Sequence, residues 1–149
     1  MKTCVFFGHR DIDYRKDGEK LKQTIVALIE NEGFTQFYSG GRGAFDGMCT
    51  EVMAELTTTY PHIKNTLVFS YLPPSNEDFT LPSAYTDSVY LLERRVPPRH
   101  AILETNKCMV EKADCLVVGI IKEWGGAWQA VEYAKQKGKR IINICEERE

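Results

Sequence analysis

The chain has 149 residues, 43% of them hydrophobic and 27% charged, with a formal net charge of −2. That length suits one compact domain, residues 1–149, with a self-sufficient core, and the composition excludes the disordered and fibrous classes. The slightly acidic balance excludes a broad basic field, so neither nucleic acid nor an anionic membrane surface is the expected partner.

Residues 3–7 are an apolar run closed by Gly8, which predicts a buried first strand. Between positions 14 and 32, Leu21, Ile25, Leu28 and Ile29 recur at helical spacing, and Gly33 supplies the stop. A second strand is predicted over 34–38, then a loop over 39–43, then a helix over 45–60 carried by Met48, Val52, Met53 and Leu56. A third strand is predicted over 66–72. Pro73, Pro74 and Pro82 make 73–85 a long surface loop, the usual place for a lid or specificity element, and a weakly patterned stretch extends it into a loop insertion spanning 73–96.

The next helix is predicted over 98–112, with Pro98 in its first turn and Ile102, Leu103 and Met109 on its apolar side. Residues 115–121 are nearly all Val, Leu and Ile, as a strand buried on both faces of a parallel sheet requires. A last helix over 128–137 is stopped by Gly138, and a last strand follows over 140–145. Strands alternating with helices define an α/β class: a Rossmann-like three-layer sandwich with a mainly parallel sheet of about five strands. The five cysteines, Cys4, Cys49, Cys108, Cys115 and Cys145, make no CxxC pair, so the expectation is reduced thiols in a cytoplasmic protein and no metal site. The N-terminal apolar run meets charge at His9 and Arg10, too soon for a signal peptide or a spanning helix.

Open parallel sheets bind ligands beyond the carboxyl ends of their strands, above all where the strand order reverses. Three strand-to-helix loops have the composition for it. In Ser39-Gly40-Gly41-Arg42-Gly43, glycines would let the backbone approach an anion, the next helix would present free N–H groups, and Arg42 would add a charge-assisted bond. The competing reading is a tight turn, with Asp46 and Gly47 capping or packing the helix. In Glu123-Trp124-Gly125-Gly126-Ala127-Trp128 a second set of N–H donors is expected, and Trp124 and Trp128 either stack on a base or fill core, a choice Phe45 shares. In Gly8-His9-Arg10-Asp11, Arg10 is a candidate for phosphate and His9 for hydrogen bonding or proton transfer, against a capping or ion-paired cluster with Asp11 and Asp13. His62 reads as surface, and Arg99 and His100 stand at a helix start without a fixed direction.

Taken together, Gly8-His9-Arg10 after the first strand, the run from Ser39-Gly40-Gly41 to Gly47, and the segment from Asn106 to Asp114 before a strand and Gly125-Gly126 resemble the SLOG superfamily. That Rossmann-like group holds the DprA DNA-processing proteins, the LOG (lysine-decarboxylase-like) phosphoribohydrolases and small bacterial or phage YspA- or YpsA-like proteins. The resemblance covers nearly the whole chain apart from 73–96. It implies a nucleotide or nucleotide-derived ligand held by Gly8, His9, Arg10, Gly40, Gly41, Arg42, Gly43, Gly125, Gly126 and Ala127, to which the composition of the loops adds Ser39 and Trp128; no cofactor is established beyond that nucleotide or related phosphate ligand. It also implies homo-oligomers, for which the apolar residues 89–92 are either a contact or a core strand.

LOG enzymes carry an arginine in the helix before their fourth strand and a glutamate one turn after a Gly-Thr pair. Thr105 and Ala130 stand at those positions here, and Ala127 replaces the threonine. The expectation is therefore binding or sensing rather than turnover. The alternative is a phosphoribohydrolase acting on nucleoside monophosphates, with Glu104, Glu132 or Arg99 as substitute catalytic groups. A DprA-like role in DNA processing ranks below both, for want of a basic stripe.

Overall fold

Successive side chains on a strand point to opposite faces, and the first strand shows what that does here. In β1 (Lys2–Gly8), Cys4 and Phe6 enter one apolar cluster while Val5 and Phe7 enter another. The first cluster is completed by α1 (Gly18–Glu32) and α2 (Gly43–Thr59), the second by α3 (Ala101–Lys112) and α4 (Gly126–Gln136). A sheet buried on both faces between two helical layers is the three-layer α/β sandwich that the sequence predicts. This computed structural model describes residues 1–71 and 80–145.

The remaining strands are β2 (Phe34–Ser39), β3 (Lys64–Phe69), β4 (Asp87–Tyr90), β5 (Cys115–Gly119) and β6 (Arg140–Asn143). All neighbours pair in parallel, in the order β4-β3-β2-β1-β5-β6. The chain thus builds outward from β1 to β4, then returns to the other side of β1 for β5 and β6. The order reverses between β1 and β5, which run in register from Cys4 opposite Cys115 to Gly8 opposite Gly119. At that reversal the connections leave to opposite faces and a crevice opens above the strand ends.

The sheet has one strand more than the sequence predicts. β4 lies within the segment read as an insertion, pairing Thr66 with Asp87 through Phe69 with Tyr90. It is an edge strand whose residues are exposed or half-buried, so it carries no apolar run to announce it. Residues 72–79, which hold the first part of the predicted long loop, lie outside the described residues. Helix α1 starts later than its periodicity suggests, because Tyr14 turns into the core and a 3-10 turn over Arg15–Asp17 precedes the helix. Gly33 ends α1 in the left-handed region at φ +74°, the conformation glycine adopts at least cost. Among the described residues no helix is long and apolar enough to cross a membrane.

Candidate functional site

The floor of the crevice is set by two glycines and a phenylalanine. A Cβ on Gly8 would sit 2.1 Å from Phe45 Cγ, and one on Gly119 would sit 2.6 Å from the same ring. Both strand ends are therefore glycine so that wholly buried Phe45 can lie across them. Tyr14 meets that ring edge-on with centroids 5.1 Å apart. Its hydroxyl donates to the Gly119 carbonyl at 2.6 Å and accepts the His9 N–H at 2.9 Å. Phe45 thus packs the base of the site.

Docking α2 this way engages part of its N-terminus. The N–H groups of Ala44 and Phe45 bond to the carbonyls of Arg10 and His9 at 3.0 and 3.3 Å, and that of Arg42 bonds to Asp46 Oδ2 at 2.9 Å. Helix starts leave such donors orphaned until something accepts from them, and here the acceptors are internal. The loop's glycines also answer to packing. At Gly43, φ is +84° and a Cβ would stand 2.6 Å from Arg10 Cα; at Gly41, φ is +67° and a Cβ would stand 2.7 Å from Leu67. Ser39 is buried against the Tyr85 hydroxyl at 2.8 Å.

The loop after β5 is built differently. His9 Nε2 accepts the N–H groups of Ile121 and Lys122 at 3.1 and 3.0 Å, and the Asn143 side chain brackets both backbone groups of Ile120. An Nε2 that accepts two bonds belongs to a neutral imidazole with its proton on Nδ1. Burial, reinforced by the nearby Lys122 charge and opposed by Asp11, holds the His9 pKa below the usual histidine range. His9 therefore ties the first loop to the third. The first backbone bond of α4 runs from Gln129 N to Gly125 O, so the N–H groups of Gly126 and Ala127 precede the helical ladder. A Cβ on Gly126 would meet nothing within 4 Å, and its φ lies outside the left-handed region.

These loops surround a cavity of about 450 Å³ at the carboxyl ends of β1 and β5. Of the residues expected from sequence, Gly8, His9, Arg10, Gly40, Arg42, Gly125, Gly126 and Ala127 line it. Ser39, Gly41, Gly43 and Trp128 are outside its lining, and Lys135 lies over the Trp128 ring at 5.2 Å. Glu104 faces Arg94 and Lys107 at 3.9 Å, Glu132 pairs with Lys135 at 3.4 Å, and Arg99 Nε donates to His100 Nε2 at 3.3 Å. None of these three lines the cavity. Thr105 is buried and bonded to the Ala101 carbonyl, and Ala130 is core.

Sequence reasoning passed over six contributors: Phe6 and Phe7 of β1, Ser70 after β3, Ile102 and Asn106 from α3, and Lys122. Ile102 and Asn106 are four apart, hence on one helix face, but nothing in the sequence says which way that face turns. Arg10 and Arg42 have no carboxylate within ion-pair distance among the described residues. The Arg42 guanidinium stands 5.7 Å over the Tyr71 ring, and Lys122 Nζ lies 3.4 Å from Asp11 and 5.3 Å from the Trp124 ring centroid.

Asp46 closes the wall beneath Arg42. Burial pushes its pKa up to about 6, against the pull of the Arg42 N–H and the charges of Arg42 and Arg10. A raised carboxyl binds more protons in the folded state, so this group's contribution to stability falls as pH rises from about 4 to about 6. Asp46→Asn keeps an oxygen for the Arg42 N–H and removes the buried charge. It is expected to raise unfolding free energy by ~1–3 kcal/mol at neutral pH, the gain vanishing near pH ~4. Urea titrations at the two pH values check this, and an equal effect at both would refute it.

Fold and cavity together define a Rossmann-like α/β protein with a cavity at the reversal of its strand order, lined by apolar side chains together with Arg10, Arg42, Lys122, Asp11 and Asp46. No family model and no curated protein sequence matches the chain. Solved structures do share the fold. DNA processing protein A from Streptococcus pneumoniae superposes with a TM-score of 0.66 at 14% identity, over 95% of this chain and 49% of that one. This chain therefore spans about half the length of that relative. DNA processing protein A from Helicobacter pylori, described for its single-stranded DNA binding mode, gives 0.63 at 14% identity over 98% and 70% of the two chains. The structural-genomics target TM1055 gives 0.59 at 13% identity over 99% and 79%.

Proposed function

We propose that this protein binds a nucleotide or nucleotide-derived phosphate in the cavity, as a small YspA- or YpsA-like member of the SLOG group that senses or carries its ligand. The observation that carries this reading is the start of α4. Among the described residues its first N–H groups have no acceptor, a Cβ on Gly126 would meet nothing within 4 Å, and Arg10 and Arg42 line the same cavity with no carboxylate within ion-pair distance. Helix N-termini and guanidinium groups both favour a phosphate, and together they define where its charge would rest.

The hydrolase alternative has one feature in its favour, the raised carboxyl of Asp46 in the cavity wall. That oxygen is already committed to the Arg42 N–H, and Asp11, the other carboxylate lining the cavity, is held by Lys122. Binding without turnover fits this arrangement better. Single-stranded DNA, named for one structural neighbour, would need a continuous basic track, and the chain's net charge of −2 does not favour one.

Calorimetry with adenosine monophosphate, ribose phosphate and a short single-stranded oligonucleotide tests the reading. The mononucleotide is expected to bind and to stabilise the fold by about 2.7 kcal/mol at 100 times its Kd. Arg10→Gln and Arg42→Gln are each expected to weaken it about 10-fold, through loss of a charge-assisted bond. Silence across a panel of nucleotides and phosphate esters would overturn the proposal. Tight oligonucleotide binding without mononucleotide binding would transfer the site to DNA, and release of free base would make it a hydrolase.

A further inference from the structure

Trp124 is 65% exposed, far more than so large an aromatic side chain usually is, and it stands on the cavity rim. Its loop is not loose. Ile120 is bracketed by Asn143, Ile121 and Lys122 are bonded to His9, and α4 begins two residues after Trp124. One side of the indole is occupied, with Lys122 Nζ 5.3 Å from the ring centroid, and that ammonium is itself anchored 3.4 Å from Asp11. The fold therefore holds a flat apolar surface in water on the cavity rim, on a fixed support, with the cavity-lining ammonium of Lys122 over one face.

Resting on the nucleotide reading above, we infer that Trp124 is the platform on which the ligand's heterocyclic base stacks, with Lys122 holding the opposite face of the indole. Gly126, which carries the first N–H donor of α4, is two positions after Trp124, a backbone span of at most ~7 Å, which a pentose joining base to phosphate can bridge. Every base offers a π face, so this contact selects for a planar heterocycle over a bare sugar phosphate while discriminating weakly among bases. Finer selection falls to the polar groups inside the cavity, Asn106 and Ser70. The ligand class that fits is a mononucleotide or a close derivative whose ring remains intact and flat.

The test compares adenosine monophosphate with ribose phosphate by calorimetry on wild type, Trp124→Ala and Trp124→Phe. Trp124→Ala is expected to weaken the mononucleotide roughly 10- to 50-fold and to leave ribose phosphate unchanged, with Trp124→Phe restoring most of the loss. In a Trp128→Phe background the remaining indole reports directly: its fluorescence is expected to quench with the mononucleotide and not with ribose phosphate. Equal losses for both probes, or none for either, would overturn the base-platform role while leaving the phosphate site standing. If neither probe binds the wild type, the nucleotide reading itself fails and this inference with it.

Discussion

Replacing Gly8 by alanine is expected to cost at least about 3 kcal/mol of stability, a large share of the total for a domain of this size. The added methyl would sit 2.1 Å from Phe45 Cγ and 2.3 Å from its Cβ, and neither atom is the loose end of a flexible chain. Phe45 cannot yield, because Gly119 and Tyr14 hold its other sides and its backbone N–H is bonded to His9. Phe45→Ala is expected to cost ~3–5 kcal/mol by itself, through lost burial and the cavity left behind. The two changes are coupled in part: removing the ring relieves the clash with Cγ, while the Cβ of residue 45 stays 2.3 Å from the added methyl. In the Phe45→Ala background, Gly8→Ala is expected to cost about 1 kcal/mol less than in wild type, an interaction energy ordinary for residues in contact. Urea midpoints for the four proteins measure it, and additive losses would show that the Phe45 ring is not what excludes a methyl at Gly8.

The same contact explains how far the sequence could be read. The alternation of strands and helices, and the stops at Gly33 and Gly138, follow from local periodicity and glycine conformation, and both survive into the structure. β4 escaped because an edge strand with polar residues needs no apolar pattern. At the site, the sequence displays glycines but not their reasons. Gly8, Gly41, Gly43 and Gly119 are glycine because another part of the chain occupies the space of a Cβ, and contacts so distant in sequence leave no local signature. Lys122 and Asn106 were hidden in the same way: their neighbours in sequence are ordinary, and only the docking of β5 beside β1 and of α3 on the sheet turns them to the crevice.

That distinction separates the two helix starts that face the crevice. α2 spends its first donors on the carbonyls of His9 and Arg10, so its glycine-rich approach builds the wall. Among the described residues the first donors of α4 have no acceptor, and Gly126 answers to neither packing nor conformation: an added Cβ would meet no other part of the chain within 4 Å, and its φ is one any residue accepts. Gly47 in α2 shares that freedom away from the cavity, so at Gly126 the open position counts only as room for a ligand to approach the backbone. Gly126→Ala is therefore expected to move stability and binding in opposite directions. Removing the conformational freedom of glycine from the unfolded chain should stabilise the fold by ~0.4–1 kcal/mol. The same methyl, set before the N–H donors of α4, should weaken adenosine monophosphate and ribose phosphate alike by about 100-fold, or ~2.7 kcal/mol. Thermal unfolding of the free protein and calorimetry with both probes give the two numbers independently. A variant that is more stable and binds as tightly as wild type would remove the phosphate from α4 and send the search back to the remaining walls of the cavity.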